Sequence, residues 1–327
     1  MKAETGKEAA DAMKASVIIP VYFNEENLRP LYSDIKQKFI DKIDFEYELV
    51  FVNDGSLDRS GAVLQELASE DMNVKVFSLS RNFGSHAAML CGLEKCTGDC
   101  AIIKAADLQE PTELLLEMIE KWKAGDNVVL AVREGREEGK GQIAFANLYY
   151  WMVRKFALET MPKTGFDVYL LDRKVINVLL SLDERNSALT GQVLWCGFRT
   201  GHVYYTRLAR EAGKSRWTLK KKIRLVSDTL FSFSTVPIKA VTSVGVLSMA
   251  VAAVWAMIVF CLKLAGRIAV GGWTTLFIFN LLSFGIIMFS LGILGEYLWR
   301  TFDASRSRPT YIVEDENIPH AAGKEGE

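Results

Sequence analysis

The sequence predicts an α/β body built on a mostly parallel sheet, followed by two apolar helices of membrane length. Three observations predict this class. Up to about residue 133, short β-branched runs alternate with amphipathic stretches, the pattern of repeated βαβ units. Each run stops at a polar or glycine-containing turn. Beyond Pro237 the chain becomes strongly apolar over Val241–Leu262 and again over Trp273–Trp299, and each span exceeds the ~20 residues a helix needs to cross a bilayer core.

Residues 1–14 are polar and read as a tail. Residues 1–13 have no apolar stretch of the kind a signal peptide carries, so none is expected. Strands are predicted at Ser16–Val21, Tyr47–Val52, Val74–Leu79, Cys100–Ala105 and Asn127–Val132. Helices are predicted between them at Glu26–Phe39, Ser60–Glu70, Ser85–Lys95 and Thr112–Lys123. In such sheets the ligand lies beyond the carboxyl ends of the strands. The residues found there are Pro20, the turn Asn53-Asp54-Gly55-Ser56, the turn Ser80-Arg81-Asn82, Asp107 and Arg133. Farther on, Gln142–Leu158 reads as an aromatic-rich helix, Val168–Leu171 as a strand and Lys174–Leu182 as a helix, with another strand expected within Val193–Val203. Ser215–Ser234 mixes apolar and basic residues in a helical pattern. That composition suits a helix lying in the membrane interface, or one packed on the body.

Charge sets the expected orientation. Lys214, Arg216, Lys220, Lys221, Lys222, Arg224 and Lys239 precede the first apolar span, and Arg300, Arg306 and Arg308 follow or end the second. The connection between the spans has only Lys263 and Arg267. The positive-inside bias places the body and both termini in the cytoplasm, with Trp273 and Trp299 at the interfaces. Glu296 is the one acidic residue in the spans and falls near the cytoplasmic end, where a carboxylate reaches water or a partner. The basic run also attracts anionic lipid at about 1 kcal/mol per residue. Formal net charge is −1, so nothing global points to nucleic acid. Of the five cysteines, Cys91, Cys96 and Cys100 crowd together, but at no trusted zinc spacing; they read as reduced thiols.

Individually the strand-end residues are weak signals, since Asp-Gly-Ser is common turn chemistry. Together they suit a nucleotide-sugar diphosphate. A carboxylate at Asp54 can accept from a base N–H, and Gly55 lets backbone approach a ligand. Arg81 can pair with phosphate or brace carboxylates. Asp107 can meet a hard cation.

The order and spacing of these segments resemble a known family. VIIPVYFNEE at 17–26, VNDGSLD at 52–58, LSRNFGSHAAMLCGL at 79–93 and ADLQEP at 106–111 resemble the donor half of family-2 inverting glycosyltransferases with a GT-A fold. REAGKSRW at 210–217, LGILGEYLWR at 291–300 and SRPTYIV at 307–313 resemble its polyprenyl-phosphate branch, whose soluble half is shared by dolichyl-phosphate mannose synthases. The resemblance implies that Pro20, Tyr22, Glu25 and Asp54 surround base and ribose. It implies that Asp107, assisted by Gln109, ligates Mg2+ or Mn2+ on the diphosphate of a UDP sugar. Asp167 corresponds to the acidic residue near sugar and acceptor, and Arg210, Ser215 and Arg216 to groups holding phosphates. The implied reaction moves a sugar, glucose first among candidates, to polyprenyl (undecaprenyl) phosphate at the cytoplasmic face of a bacterial plasma membrane. The product would be a lipid-linked donor for cell-envelope glycans.

Three positions depart from the family pattern. Ala105-Ala106-Asp107 stands where Asp-x-Asp is usual, Asp167-Val168-Tyr169-Leu170 where Asp-Phe-Arg-Leu is usual, and Thr190 where an arginine is common. Metal affinity and the donor sugar are therefore left open. Two other readings remain: a processive polysaccharide synthase, although Gln192-Val193-Leu194-Trp195 lacks the arginine of the usual Gln-x-x-Arg-Trp, and a non-catalytic nucleotide-sugar-binding module that recruits a flippase. The expected divisions are a 15–213 catalytic domain, 214–236 juxtamembrane helices, 237–300 membrane hairpin and 301–327 C-terminal tail. The glycine-containing hairpin also suits packing against further copies of the chain.

Overall fold

The computed structural model describes residues 13–135, 140–182, 184, 188–208, 226, 228–266 and 272–318. The five strands expected from alternation are present as β1 (Lys14–Val21), β2 (Glu46–Asn53), β3 (Val74–Leu79), β4 (Cys100–Ile103) and β5 (Val128–Gly135). Between them run α1 (Glu25–Lys38), α2 (Ser60–Glu70), α3 (Ser85–Lys95) and α4 (Leu114–Lys123). Their residues are apolar on both faces because helices cover the sheet from both sides. Val17, Ile19 and Phe51 pack towards α1, α2 and α4, while Ile18, Val50 and Val52 pack towards α3. Gly92 of α3 lies so close to β1 that a Cβ there would stand 2.2 Å from Ile18 Cγ2.

Next come α5 (Lys140–Phe156), β6 (Phe166–Asp172), α6 (Arg173–Ser181), α7 (Leu189–Trp195) and β7 (Thr200–Thr206). The strand expected within Val193–Val203 is thus divided. Its first part finishes the short helix α7, whose Leu189, Val193 and Leu194 join the core, and β7 starts only at Thr200. The strand order is β7-β5-β6-β4-β1-β2-β3-β8, where β8 is Val313–Asn317. Strands β1 to β4 pair in parallel, as do β5 and β7; β6 runs antiparallel to both its neighbours, and β8 antiparallel to β3. This mostly parallel, mixed sheet is that of a GT-A fold.

Among the described residues two helices are long and apolar enough to cross a membrane: α8 (Val236–Leu264), in which an 18-residue stretch has mean hydropathy 2.4, and α9 (Trp273–Ser305), in which an 18-residue stretch within Leu282–Ser305 averages 1.5. Neither is covered by the rest of the described chain over those windows. Their contacts to the body gather at one end. Arg300 bonds Glu296 Oε1 at 2.9 Å and Asp228 Oδ1 at 2.8 Å. Its guanidinium also sits 5.3 Å from the Phe231 ring, which meets Tyr297 edge-on. Glu296, the isolated acidic residue of the spans, is therefore paired within its own helix.

The region expected as a C-terminal tail contains β8. This strand extends the sheet beyond β3 through main-chain pairing from Val76↔Asn317 to Leu79↔Val313. Ser80 N–H donates to Ile312 O at 3.0 Å, Tyr311 OH to Glu94, and Asn317 to Gln65 Oε1 at 2.5 Å. The basic stretch 214–224 lies outside the described residues.

Candidate active site

Parallel pairing brings the ends of β1, β2, β3 and β4 to one edge of the sheet. Because β6 runs against β4, with Ile103 opposite Tyr169, its beginning reaches the same edge and delivers Asp167 there. The ends of β5 and β7 arrive beside it, carrying Arg133 and Tyr205.

The first half of this edge is an interlocked set of turns. Phe23 N–H donates to Ser56 Oγ at 3.1 Å and Asn24 N–H to Ser60 Oγ at 3.0 Å. Phe23 adopts a left-handed φ of 56°, an uncommon conformation for a bulky side chain that tends to be kept at functional turns. Pro20 and Tyr22 flank this turn, half-buried. Glu25 accepts the Arg59 N–H at 2.7 Å, tying α1 to the start of α2.

Asp54 is 3% exposed and faces the 82–84 turn. Its oxygens accept from Phe83 N–H at 2.7 Å, Gly84 N–H at 3.0 Å and Asn82 Nδ2 at 3.0 Å. Burial raises its pKa, and the two backbone donors only partly offset that. The carboxylate expected to meet a base thus also holds the neighbouring turn in shape. Gly55, at φ 65°, makes the close approach possible, since a Cβ would stand 2.5 Å from the Arg81 carbonyl carbon. Arg81 is exposed, with its guanidinium 4.0 Å from the Phe83 ring centroid.

The second half is more strongly charged. Asp107 follows β4, and the next residue, Leu108, has a left-handed φ of 57° that turns the chain back sharply. Gln109 Oε1 accepts from Arg207 at 2.7 Å. To act as a metal ligand, that oxygen would have to give up or share this bond. Lys104, wholly buried, closes the turn by donating to the main-chain oxygen of Glu110 at 2.6 Å; burial lowers its pKa. Glu110 is 2% exposed, and its Oε2 has no hydrogen-bond partner among the described residues. Burial, then the Asp107 and Asp167 carboxylates, push its pKa up to about 7. Asp167 is gripped by the Arg133 guanidinium through both Nε and Nη2 and accepts the Tyr205 hydroxyl at 3.1 Å. That carboxylate holds the Arg133 pKa above its ordinary value against the opposing effect of burial, while burial and Asp167 together raise the pKa of Tyr205.

Of the residues singled out in the sequence, Pro20, Tyr22, Glu25, Asp54, Arg81, Asp107, Gln109 and Asp167 all lie along this edge, on the turns just described. Arg210, Ser215 and Arg216 lie outside the described residues. Sequence reasoning gave no role to Lys104, Glu110, Arg207 or Tyr205, and marked Arg133 only as the end of a strand. Glu110 sits within the ADLQEP segment, so its place beside Asp107 was the available signal. Among the described residues no group of three or more His, Cys, Asp or Glu forms a ready metal cluster.

Two cavities adjoin this architecture. One of about 590 Å³ is lined by Arg133, Glu134, Lys163, Thr164, His202 and Tyr204, among others. The other, about 470 Å³, lies where α7, residues 231–235, α8 and α9 meet, lined by Trp195, Phe231, Phe233, Ile238 and Tyr297 with small hydroxyl residues between.

The family model Glycosyl transferase family 2 matches residues 16–177. An uncharacterized glycosyltransferase of Bacillus subtilis is 38% identical over 91% of this chain and 93% of its own length. A prophage bactoprenol glucosyl transferase homolog of Escherichia coli is 34% identical over 92% of this chain and 99% of its own. The bactoprenol glucosyl transferase of Shigella phage SfV is 33% identical over 93% and 99%. A solved mannosyltransferase from Pyrobaculum calidifontis aligns more distantly, at 15% identity and a TM-score of 0.43 over 85% of this chain and 86% of that one. With near full-length relatives above 30% identity and a sheet edge arranged as described, this chain is a glycosyltransferase and belongs to glycosyl transferase family 2.

Proposed function

We propose that the enzyme transfers a sugar, glucose first among candidates, from a UDP sugar to polyprenyl phosphate with inversion at the anomeric carbon. The observation that carries this reading is the union, on one chain, of a charged strand-end site and two membrane-length helices that meet its body beside an aromatic cavity. The bactoprenol glucosyl transferases that match nearly end to end support the same acceptor class.

The turns carrying Pro20, Tyr22, Glu25, Asp54 and Arg81 would enclose base and ribose. The second half of the edge would handle the diphosphate and sugar. The donor set suits a divalent cation: Asp107 lies at a strand end, and the buried Glu110 carboxylate, whose charge couples to it, has an oxygen without a donor among the described residues. Mg2+ binds through one or two carboxylates together with substrate phosphates, so Asp107 with the diphosphate is a sufficient holder. Bound there, Mg2+ or Mn2+ would offset the charge that gathers on the departing nucleotide.

The acceptor is a phosphate monoester, already largely anionic at neutral pH because its second ionisation falls near pH 6. No strong base is needed to make the nucleophile. Asp167, fixed by Arg133 and Tyr205, therefore serves to orient the sugar or acceptor rather than to remove a proton. The harder task is to hold two anions together, which favours arginines. Arg210 and Arg216, with Ser215, take this role in the proposal. The aromatic cavity at the hairpin junction supports entry of the lipid phosphate from the membrane side.

The return of β8 to β3 after α9 supports a hairpin of two crossings with body and C-terminus on one side. The basic residues around the spans support the cytoplasm as that side. The test is incubation of the purified full chain with undecaprenyl phosphate, Mg2+ and a panel of nucleotide sugars, followed by mass analysis of the lipid. A single-hexose increment with UDP-glucose is expected. Absence of any glycosylated lipid, with a nucleotide sugar bound, would overturn the reading.

A further inference from the structure

The loop from Lys104 to Glu110 is closed by a device unrelated to either candidate metal ligand. The Lys104 ammonium, buried at the end of β4, donates to the main-chain oxygen of Glu110 at 2.6 Å. With the left-handed turn at Leu108, this clasp turns the loop so that the Glu110 carboxyl feels the charges of Asp107 and Asp167. The result is unusual for a buried acid. The nearest buried cation is used on the main chain, and the side-chain oxygen Oε2 receives no hydrogen bond among the described residues. The other charged groups facing it are Asp107 and Asp167, which repel it, and Arg207, which attracts it. Arg207 already bonds Gln109 at 2.7 Å, and Arg133 is engaged with Asp167. A carboxylate shut away from water with an unmet oxygen is costly unless a cation or a donor meets it.

The sequence has a gap on the same loop. Ala105 stands where the first carboxylate of an Asp-x-Asp pair would be, and nothing else on β4 can replace it. We infer that Glu110 supplies the second carboxylate for the divalent cation, standing in from the far end of the loop for the acid absent at position 105. The site would then be Asp107 and Glu110 with the donor diphosphate, an all-oxygen set of the kind hard cations take. Gln109 would keep its bond to Arg207 and act as a spacer between the two acids. This rests on the reading of Asp107 as the metal-holding residue of a nucleotide-sugar site.

The test measures metal rather than turnover. Free Mn2+ is followed by electron paramagnetic resonance in titrations of the detergent-solubilised full chain, with and without UDP. Wild-type protein should bind one Mn2+ in the presence of UDP. Glu110→Gln should weaken that binding about tenfold or more, on the scale of losing a group that supports a metal. UDP binding without metal should not change, which also shows that the variant is folded. Adding Ala105→Asp to Glu110→Gln should restore most of the lost affinity. If the amide variant does not fold, Glu110→Asp, which keeps the charge on a shorter arm, should show the same loss. Unchanged Mn2+ affinity in Glu110→Gln would overturn the inference alone and assign Oε2 to a donor from elsewhere in the chain. Failure of the wild-type protein to bind Mn2+ with UDP would overturn both the inference and the metal reading of Asp107.

Discussion

At the scale of single residues, the site separates groups that meet the ligand from groups that hold them. Asp107→Asn removes the carboxylate common to every version of the metal site. Transfer to polyprenyl phosphate should fall to near background while UDP binding without metal persists; full activity at saturating Mg2+ would take Asp107 out of the site. Arg133→Ala leaves the half-buried Asp167 beside Tyr205 without its cation. Breaking a fully buried pair from one side costs about 3–5 kcal/mol, and the partial exposure of Asp167 reduces that cost, so a modest drop in melting temperature should accompany lost activity. His86 offers a pH test away from the chemistry. Its Nδ1 accepts the Leu189 N–H at 3.1 Å and its Nε2 is shut off from solvent, so the ring is held neutral and burial lowers its pKa to about 4. The unfolded chain takes up this proton near pH 6.5 and the folded one only near pH 4. Stability is therefore complete above pH 6.5 and declines as pH falls between the two values, by about 2 kcal/mol at pH 5. Melting curves of wild type and His86→Gln should converge as pH falls from 7.5 to 5; parallel curves would mean that the ring takes no part.

At the scale of elements, close approaches explain several fixed positions. Gly92→Ala drives a methyl into Ile18, the strand residue beneath α3. Overpacking of this kind costs about 1–3 kcal/mol, and thermal melting should report it with little change in the Michaelis constant for donor. The first five strands could be read from the sequence because strands covered on both faces form continuous apolar runs bounded by turns. Two elements could not. The run Val193-Leu194-Trp195 is short and apolar, which periodicity alone does not assign to helix or strand; packing in the α6-side core made it the end of α7. In β8, Val313-Glu314-Asp315-Glu316-Asn317, four of five residues are polar. Only its pairing partner makes it a strand, since an edge strand needs main-chain bonds more than buried side chains. The site followed the same rule. Asp54 and Asp107 were visible because turns and strand ends announce them, and Asp167 through the family resemblance alone. Glu110 and Arg133 became legible only when the loop clasp and the antiparallel β6 had placed them.

At the scale of the whole molecule, the hairpin and the sheet are fastened together twice. Asp228 and Phe231 meet α9 through Arg300 and Tyr297, and β8 pairs with β3. A chain cut near Ser234 would lose the edge strand as well as the apolar helices. The cleaner variant replaces residues 236–305 with a flexible linker and keeps Val313–Asn317. It should bind UDP like the full chain, transfer slowly to polyprenyl phosphate in bilayers, and recover in part on a short soluble prenyl phosphate. Equal rates on membrane-embedded lipid would reduce the hairpin to a tether. The position of β8 also orders the birth of the protein. Ribosomes release Val313–Asn317 only after both apolar helices have been made, so every nascent chain passes through a stage in which the outer side of β3 is an open row of unpaired amides and carbonyls, a template for pairing with other chains. Prompt delivery of the helices to the lipid, followed by docking of the last strand, ends that exposure. A nascent chain stalled before that point is the form of this protein most prone to aggregate.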